Sequence, residues 1–223
     1  MPSNGMNTFS ATECITFGWE TFKKRPWFLI GTILLYVVVV WVISFALGEL
    51  TRVGPVGAII ATVANWTIGI LAGMGLLSFM LKAHDNVAQA ALADFWNPHM
   101  FWQYLAASIL MGLAIVAGLI LLIVPGVIIA LMFSLAPYLV IEHKMGPIVA
   151  LKESARMTKG YKWQLFLLAL LTILISILGL LALIVGLLVA SPVIALAQVH
   201  AYRLLSAKAD AIVPTTPAAP VVS

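Results

Sequence analysis

Long apolar runs alternate with short polar stretches along the chain, and the lengths of the runs predict helices that cross a bilayer. Trp27–Leu47 is an apolar run of 21 residues. At about 1.5 Å per residue it reaches about 31 Å, the thickness of a hydrocarbon core. A polar turn, Glu49–Pro55, leads into a second run, Gly57–Leu81. Leu105–Val124 and Val127–Ile141 flank Pro125–Gly126, where a residue without an amide donor precedes one free of Cβ constraints, so a turn is predicted. The last run, Leu165–Ala197, has 33 residues, or about 50 Å as one helix, too long for one crossing. It is expected to fold back near Gly179–Gly186. A shallow re-entrant hairpin is the alternative there, since irregular backbone survives at membrane depth where protein buries it. The pattern predicts an all-α fold, a polytopic membrane helical bundle. Its six spans lie near 27–47, 57–81, 102–124, 127–141, 164–180 and 184–204, paired as three hairpins.

The stretches between runs carry a second pattern. Ser10–Lys24 places Ala11, Cys14, Ile15, Gly18 and Phe22 at helical spacing, and Ser10 with Glu13 matches a capping box. A similar segment starts at Pro147, which suits a first helical turn, and ends at Gly160. Val87–Trp96 is nearly uncharged apart from Asp94, and Asn97–Pro98 stops it. Each hairpin is thus preceded by an interfacial amphipathic or polar segment, and then by a tryptophan: Trp27, Trp102 and Trp163. An indole favours the headgroup interface, so these three are read as interfacial anchors. Their spacings, 75 and then 61 residues, fit either an unequal triplication or three hairpins that each need an anchor. The domains are a cytoplasmic amphipathic segment (1–26), a six-helix transmembrane domain (27–205) and a tail (206–223). The tail has Pro at 214, 217 and 220 and is expected to be disordered.

Composition removes the soluble alternative. The chain is 63% hydrophobic and 9% charged over 223 residues, against roughly 45–50% and about 25% for soluble domains. No soluble fold of that size hides so much apolar surface. Charge then orients the bundle. With six spans, eleven of the twelve Lys and Arg fall on the side of both termini, and only Arg52 falls opposite. The positive-inside rule makes that side cytoplasmic, giving a multi-pass protein of the cell (inner) membrane with N- and C-termini inside. The net charge of +4 flanks apolar runs and forms no stripe, so nucleic acid is not an expected partner. A single cysteine, Cys14, excludes an internal disulfide and a multi-Cys zinc site. The first run exceeds a signal-peptide core in length and is expected to stay as an anchor.

The motifs Ile123–Ile128, Ala136–Val140, Ala150–Ser154 and Gly160–Trp163 form a recognisable set. Ser191–Pro192, Ala201–Arg203, and Gly75–Lys82 ahead of Asp94–Phe95 extend it. Over roughly 70–205 the chain resembles a group of uncharacterised prokaryotic six-span integral membrane proteins, a domain of unknown function. That group is related to the glycerophosphoryl diester phosphodiesterase membrane-domain superfamily. The resemblance implies a membrane domain without assigned activity. The phosphodiesterase chemistry of that superfamily belongs to a separate soluble barrel, for which this chain has no room.

Candidate chemistry is sparse. No ionisable residue falls at mid-membrane, which counts against ion-coupled transport. His84, His99, His143 and His200 all fall toward the inner face without metal spacing on one helix. No nucleophile–base set or phosphate loop assembles, so no catalytic residue, metal or cofactor is expected. Asn65, Ser134, Pro137, Ser191 and Pro192 mark polar groups and helix breaks at comparable depth in helices two, four and six. Such breaks point to a membrane binding site, although kinks also serve packing alone. Lys144, Lys152, Arg156, Lys159 and Lys162 form a basic loop for anionic lipid. Gly69 and Gly73 form a small-xxx-small pair that would allow a homo-oligomer or internal packing. The first functional expectation is a non-catalytic protein that organises membrane lipids or partner proteins at the inner leaflet. The alternative is a small-solute or lipid transporter with its site at the breaks.

Overall fold

A computed structural model describes residues 9–95 and 100–212, and every regular element among them is helical. In order these are α1 (Ala11–Lys24), α2 (Pro26–Gly48), a 3-10 turn (Glu49–Val53), α3 (Pro55–Asp85) and a 3-10 turn (Leu92–Phe95). They continue as α4 (Phe101–Leu121), α5 (Ile123–Phe133), α6 (Ala136–His143), α7 (Pro147–Met157), α8 (Lys162–Leu181) and α9 (Leu183–Ile212). Six segments are long and apolar enough to span: Pro26–Val53, Pro55–Asp85, Phe101–Leu121, Ile123–His143, Lys162–Leu181 and Gly186–Ala209. The fourth is α5 and α6 joined across a break.

The core is organised around α9. Its Leu196, Ala197, Val199 and Tyr202 are inaccessible, with α1, α2, α3, α7 and α8 packed around it. By contrast α2 buries only Leu29, Thr32 and Ile33. Its distal half, including Val37, Trp41 and Phe45, faces outward, as an all-round apolar helix does where lipid replaces water.

The turns differ from expectation in instructive ways. The α4–α5 turn is made by Leu122, in extended conformation, and not by Pro125–Gly126. Pro125 sits inside the first turn of α5, where its missing amide costs no helical bond. Gly126 serves the packing: a Cβ on it would lie 2.9 Å from the Leu119 amide nitrogen, and one on Gly118 would lie 2.9 Å from Gly126 Cα. The last hairpin repeats this device. It turns at Ala182, and a Cβ on Gly186 would lie 2.4 Å from the Gly179 carbonyl oxygen. The 20 residues of α8 give about 30 Å, a full crossing length. The first hairpin uses another solution. Gly54, at φ 117°, takes a backbone closed to other residues, and Pro55 starts α3.

The segments preceding the hairpins also diverge. α1 forms as expected, but its apolar face is covered by α9: Cys14 is inaccessible, and a Cβ on Gly18 would lie 2.4 Å from the Val193 carbonyl oxygen. The Ser10 hydroxyl bonds Thr12 at 2.9 Å, so the capping box is not made. The middle segment shortens to the 3-10 turn at Leu92–Phe95, which inserts Phe95 against Phe79 at 4.8 Å. α7 starts at Pro147 as predicted, and Gly160, at φ 89°, follows its end. α9 continues to Ile212, beyond the expected limit near 204, so the first part of the 206–223 segment is helical. Trp96, Asn97–Pro98, His99 and the tail residues 213–223 lie outside the described residues.

Candidate functional site

Pro137 withholds the amide that would continue the helix from Phe133, and the chain breaks between α5 and α6. Ser154 of α7 completes the break. Its hydroxyl donates to the Met132 carbonyl at 2.6 Å and accepts from the Leu135 amide at 3.2 Å. Thr158, also inaccessible, donates to the Ser154 carbonyl at 2.9 Å and holds α7 in register.

Beside this break, three adjoining spaces meet at Gln198 of α9. One, of about 160 Å³, is lined by Ser134, Tyr138, Leu168, Thr172 and Gln198. A second, of about 290 Å³, is bounded by Gly73, Tyr104, Ser134, Pro137 and Gln198. The third, of about 430 Å³, lies along α8 and α9 between Thr172, Ser176, Ile177, Leu187 and Ile194. The Gln198 side chain is exposed and has no hydrogen-bond partner among the described residues. The hydroxyls of Ser134, Thr172 and Ser176 donate to carbonyls of their own helices, at 2.8 Å each. Their lone pairs remain for a guest.

The bundle end where α3 and α6 finish is tied by a charged network. The Arg203 guanidinium donates to Glu142 of α6 and, at 2.6 Å, to Asp85 of α3. Asp85 contacts His84 at 3.1 Å, and His84 meets His200 at 3.0 Å between ring nitrogens. Phe17 of α1 stacks on His200 with centroids 3.9 Å apart. Four elements are therefore joined through one chain of contacts. The sequence reading placed these histidines at one face but missed the pairing, because His84 and His200 are 116 residues apart. Among the described residues no three His, Cys, Asp or Glu gather to hold a metal.

At the same end, α7 turns Ile148, Val149 and Lys152 outward. Lys144 and Lys159 are exposed, and Lys162 is half-buried. These four lysines have no carboxylate partner among the described residues. Arg156 instead grips Glu153, with Nη2 to Oε1 at 2.5 Å and Nε to Oε2 at 2.9 Å. That bond holds the Glu153 carboxyl below its ordinary range. Burial pushes the Cys14 thiol up to about 12, with Glu13 adding to the shift.

The structure separates the residues that the sequence placed in one intramembrane site. Ser134 and Pro137 line the spaces around Gln198. Pro192 is buried, and the Ser191 hydroxyl is buried without a partner among the described residues. The next residue, Val193, meets α1 at Gly18. Asn65 donates to the Ala61 carbonyl of its own helix at 3.0 Å and lines none of the three spaces. Gly69 faces open space, whereas Gly73 looks toward the Tyr104 hydroxyl at 3.7 Å. Trp27, Trp102 and Trp163 are 85%, 76% and 67% exposed.

Comparison with known families gives a match over most of the chain. The model described as "Protein of unknown function (DUF975)" matches residues 5–209. No curated protein and no solved structure matches the chain.

Proposed function

The chain belongs to this family of unknown function (DUF975), and we propose that it is a non-catalytic multi-pass protein that gathers anionic lipid against α7. The observation that carries the reading is the outward face of α7, where exposed Ile148 and Val149 precede Lys152, with Lys144 and Lys159 beside it. Apolar residues at the hydrocarbon boundary and lysines that snorkel to headgroups are the two halves of an interfacial lipid contact. Each unpaired lysine contributes about 1 kcal/mol near an anionic surface. The eleven-to-one charge split supports a cytoplasmic placement of this face in the cell membrane. α1 takes little part, because its apolar face already packs on α9. The sequence resemblance over residues 70–205 to the membrane-domain superfamily of glycerophosphodiester phosphodiesterases is part of the same proposal and adds no activity to it. The test is spin-labelled lipid association with the full chain in mixed vesicles. Phosphatidylglycerol is expected to be enriched over phosphatidylcholine, and the Lys144→Gln, Lys152→Gln, Lys159→Gln triple variant to abolish the preference. Equal association of both lipids with the unmodified protein refutes the proposal.

A second reading, passage of a small solute or lipid, is favoured by the α5–α6 break, which opens beside the spaces around Gln198. It predicts that Pro137→Ala changes flux in proteoliposomes while folded yield is kept. Loss of yield alone makes Pro137 structural.

A further inference from the structure

We propose that the cleft around Gln198 binds a single-chain amphiphile with an uncharged hydroxyl head group, of the monoacylglycerol class. Gln198 lies near the middle of the span Gly186–Ala209, exposed and without a hydrogen-bond partner among the described residues. An amide left alone in hydrocarbon costs several kcal/mol, so its position calls for a polar guest. The lining fixes the chemistry of that guest. Ser134, Thr172 and Ser176 already donate their protons to helix carbonyls, so they offer lone pairs and need a donor from the ligand. Gln198 offers both donor and acceptor. No ionised side chain lines any of the three spaces. A charged head would therefore be desolvated without a counter-charge, and a neutral polyol head would not.

The place for the tail is equally defined. The third space runs from Gln198 to Leu187 along α8 and α9, between Ile173, Ile177 and Ile194. Eleven residues of helix cover about 16 Å, enough for a medium-length acyl chain lying parallel to the bilayer lipids. The inference does not depend on the basic-face reading, because no lysine of that face touches the cleft.

The experiment uses the full chain in phosphatidylcholine nanodiscs, free of anionic lipid, with a monoacylglycerol bearing a diazirine in its chain. Saturable photolabelling is expected on α8 and α9, competed by monoolein but not by oleate or oleylamine. Gln198→Leu is expected to reduce it about tenfold, and Asn65→Leu, outside the cleft, to leave it unchanged. Ile177→Trp, at a half-exposed position, fills the tail groove and serves where Gln198→Leu cannot be recovered folded. Labelling that persists in a folded Gln198→Leu or in Ile177→Trp overturns the proposal. So does competition by oleate as strong as by monoolein.

Discussion

At the α5–α6 break ahead of Pro137, one hydroxyl from α7 bonds both the Leu135 amide and the Met132 carbonyl. Removing it in Ser154→Ala leaves the Leu135 amide without its side-chain partner and the Met132 carbonyl with only the long contact from Thr158 at 3.5 Å. Buried groups so orphaned cost about 1–3 kcal/mol. The thermal midpoint of the purified protein is expected to fall accordingly, whereas Lys152→Ala on the outward face leaves it unchanged. Cys14 gives a second residue-scale expectation. It is inaccessible, and its thiol is held near 12, so almost no thiolate exists at pH 8. Maleimide is expected to label it only after denaturation. Glu153 gives a third. Its folded-state carboxyl is lowered by Arg156, so the stabilisation is present above the unfolded pKa and is lost as pH falls through the folded value. Unmodified protein and Glu153→Gln should therefore differ slightly at neutral pH and converge only as the pH falls below the ordinary glutamate range and through the lowered folded value. These roles divide by sequence range. The three-residue Glu153–Arg156 spacing is legible on a helix, but Ser154 finds partners 19 and 22 residues away, and nothing local announces them.

Elements show the same division between pattern and partner. The existence of the spanning helices followed from apolar runs, and the start at Pro147 from the fixed φ of proline; α3 instead begins at Pro55, two residues ahead of the expected Gly57. What the pattern does not carry is which glycine faces a neighbouring backbone. Gly118–Gly126 and Gly179–Gly186 look like turn residues in the chain, yet each pair brings antiparallel helices into backbone contact just below a one-residue turn. Gly69–Gly73 looks like the packing motif, yet Gly69 meets nothing within 4 Å. Gly126→Leu and Gly186→Leu are accordingly expected to collapse folded yield, because at each site a backbone atom of the facing helix, besides nearby side-chain atoms, stands within 3 Å of the added Cβ. Gly69→Leu is expected to leave yield unchanged, as read by monodisperse recovery in detergent. A uniform response across the three sites would show that the close approaches do not set the hairpins. The amphipathic period of α1 was legible too, but periodicity gives only the presence of a buried face. It does not say whether lipid or α9 buries it.

For the whole molecule, the charge pattern and the helix ends agree on two faces. Arg203, Asp85, Glu142 and the His84–His200 pair gather where α3 and α6 end, against the second half of α9. Lys208 reaches over the Tyr161 ring at 4.9 Å, so α8 begins at that level as well. Arg25 donates to the Val87 and Ala88 carbonyls at 3.2 and 3.1 Å, bringing the start of α2 to the same end. The opposite end holds Glu49, Arg52 and the turns at Leu122 and Ala182. If a bilayer lies between these ends, single cysteines in a Cys14→Ser background report the two sides separately. Thr51→Cys and Ala182→Cys, both at exposed positions, are expected to react with an impermeant maleimide only from outside the cell. Lys159→Cys, exposed on the basic face, is expected to react only from inside. Ala182 is the discriminating position, because its turn carries no charge that would fix it by the positive-inside rule. Labelling of Ala182→Cys from the same side as Lys159→Cys would mean that α8 and α9 enter and leave by one face. The bundle would then have four full crossings, and the Gln198 cleft would open toward the interior.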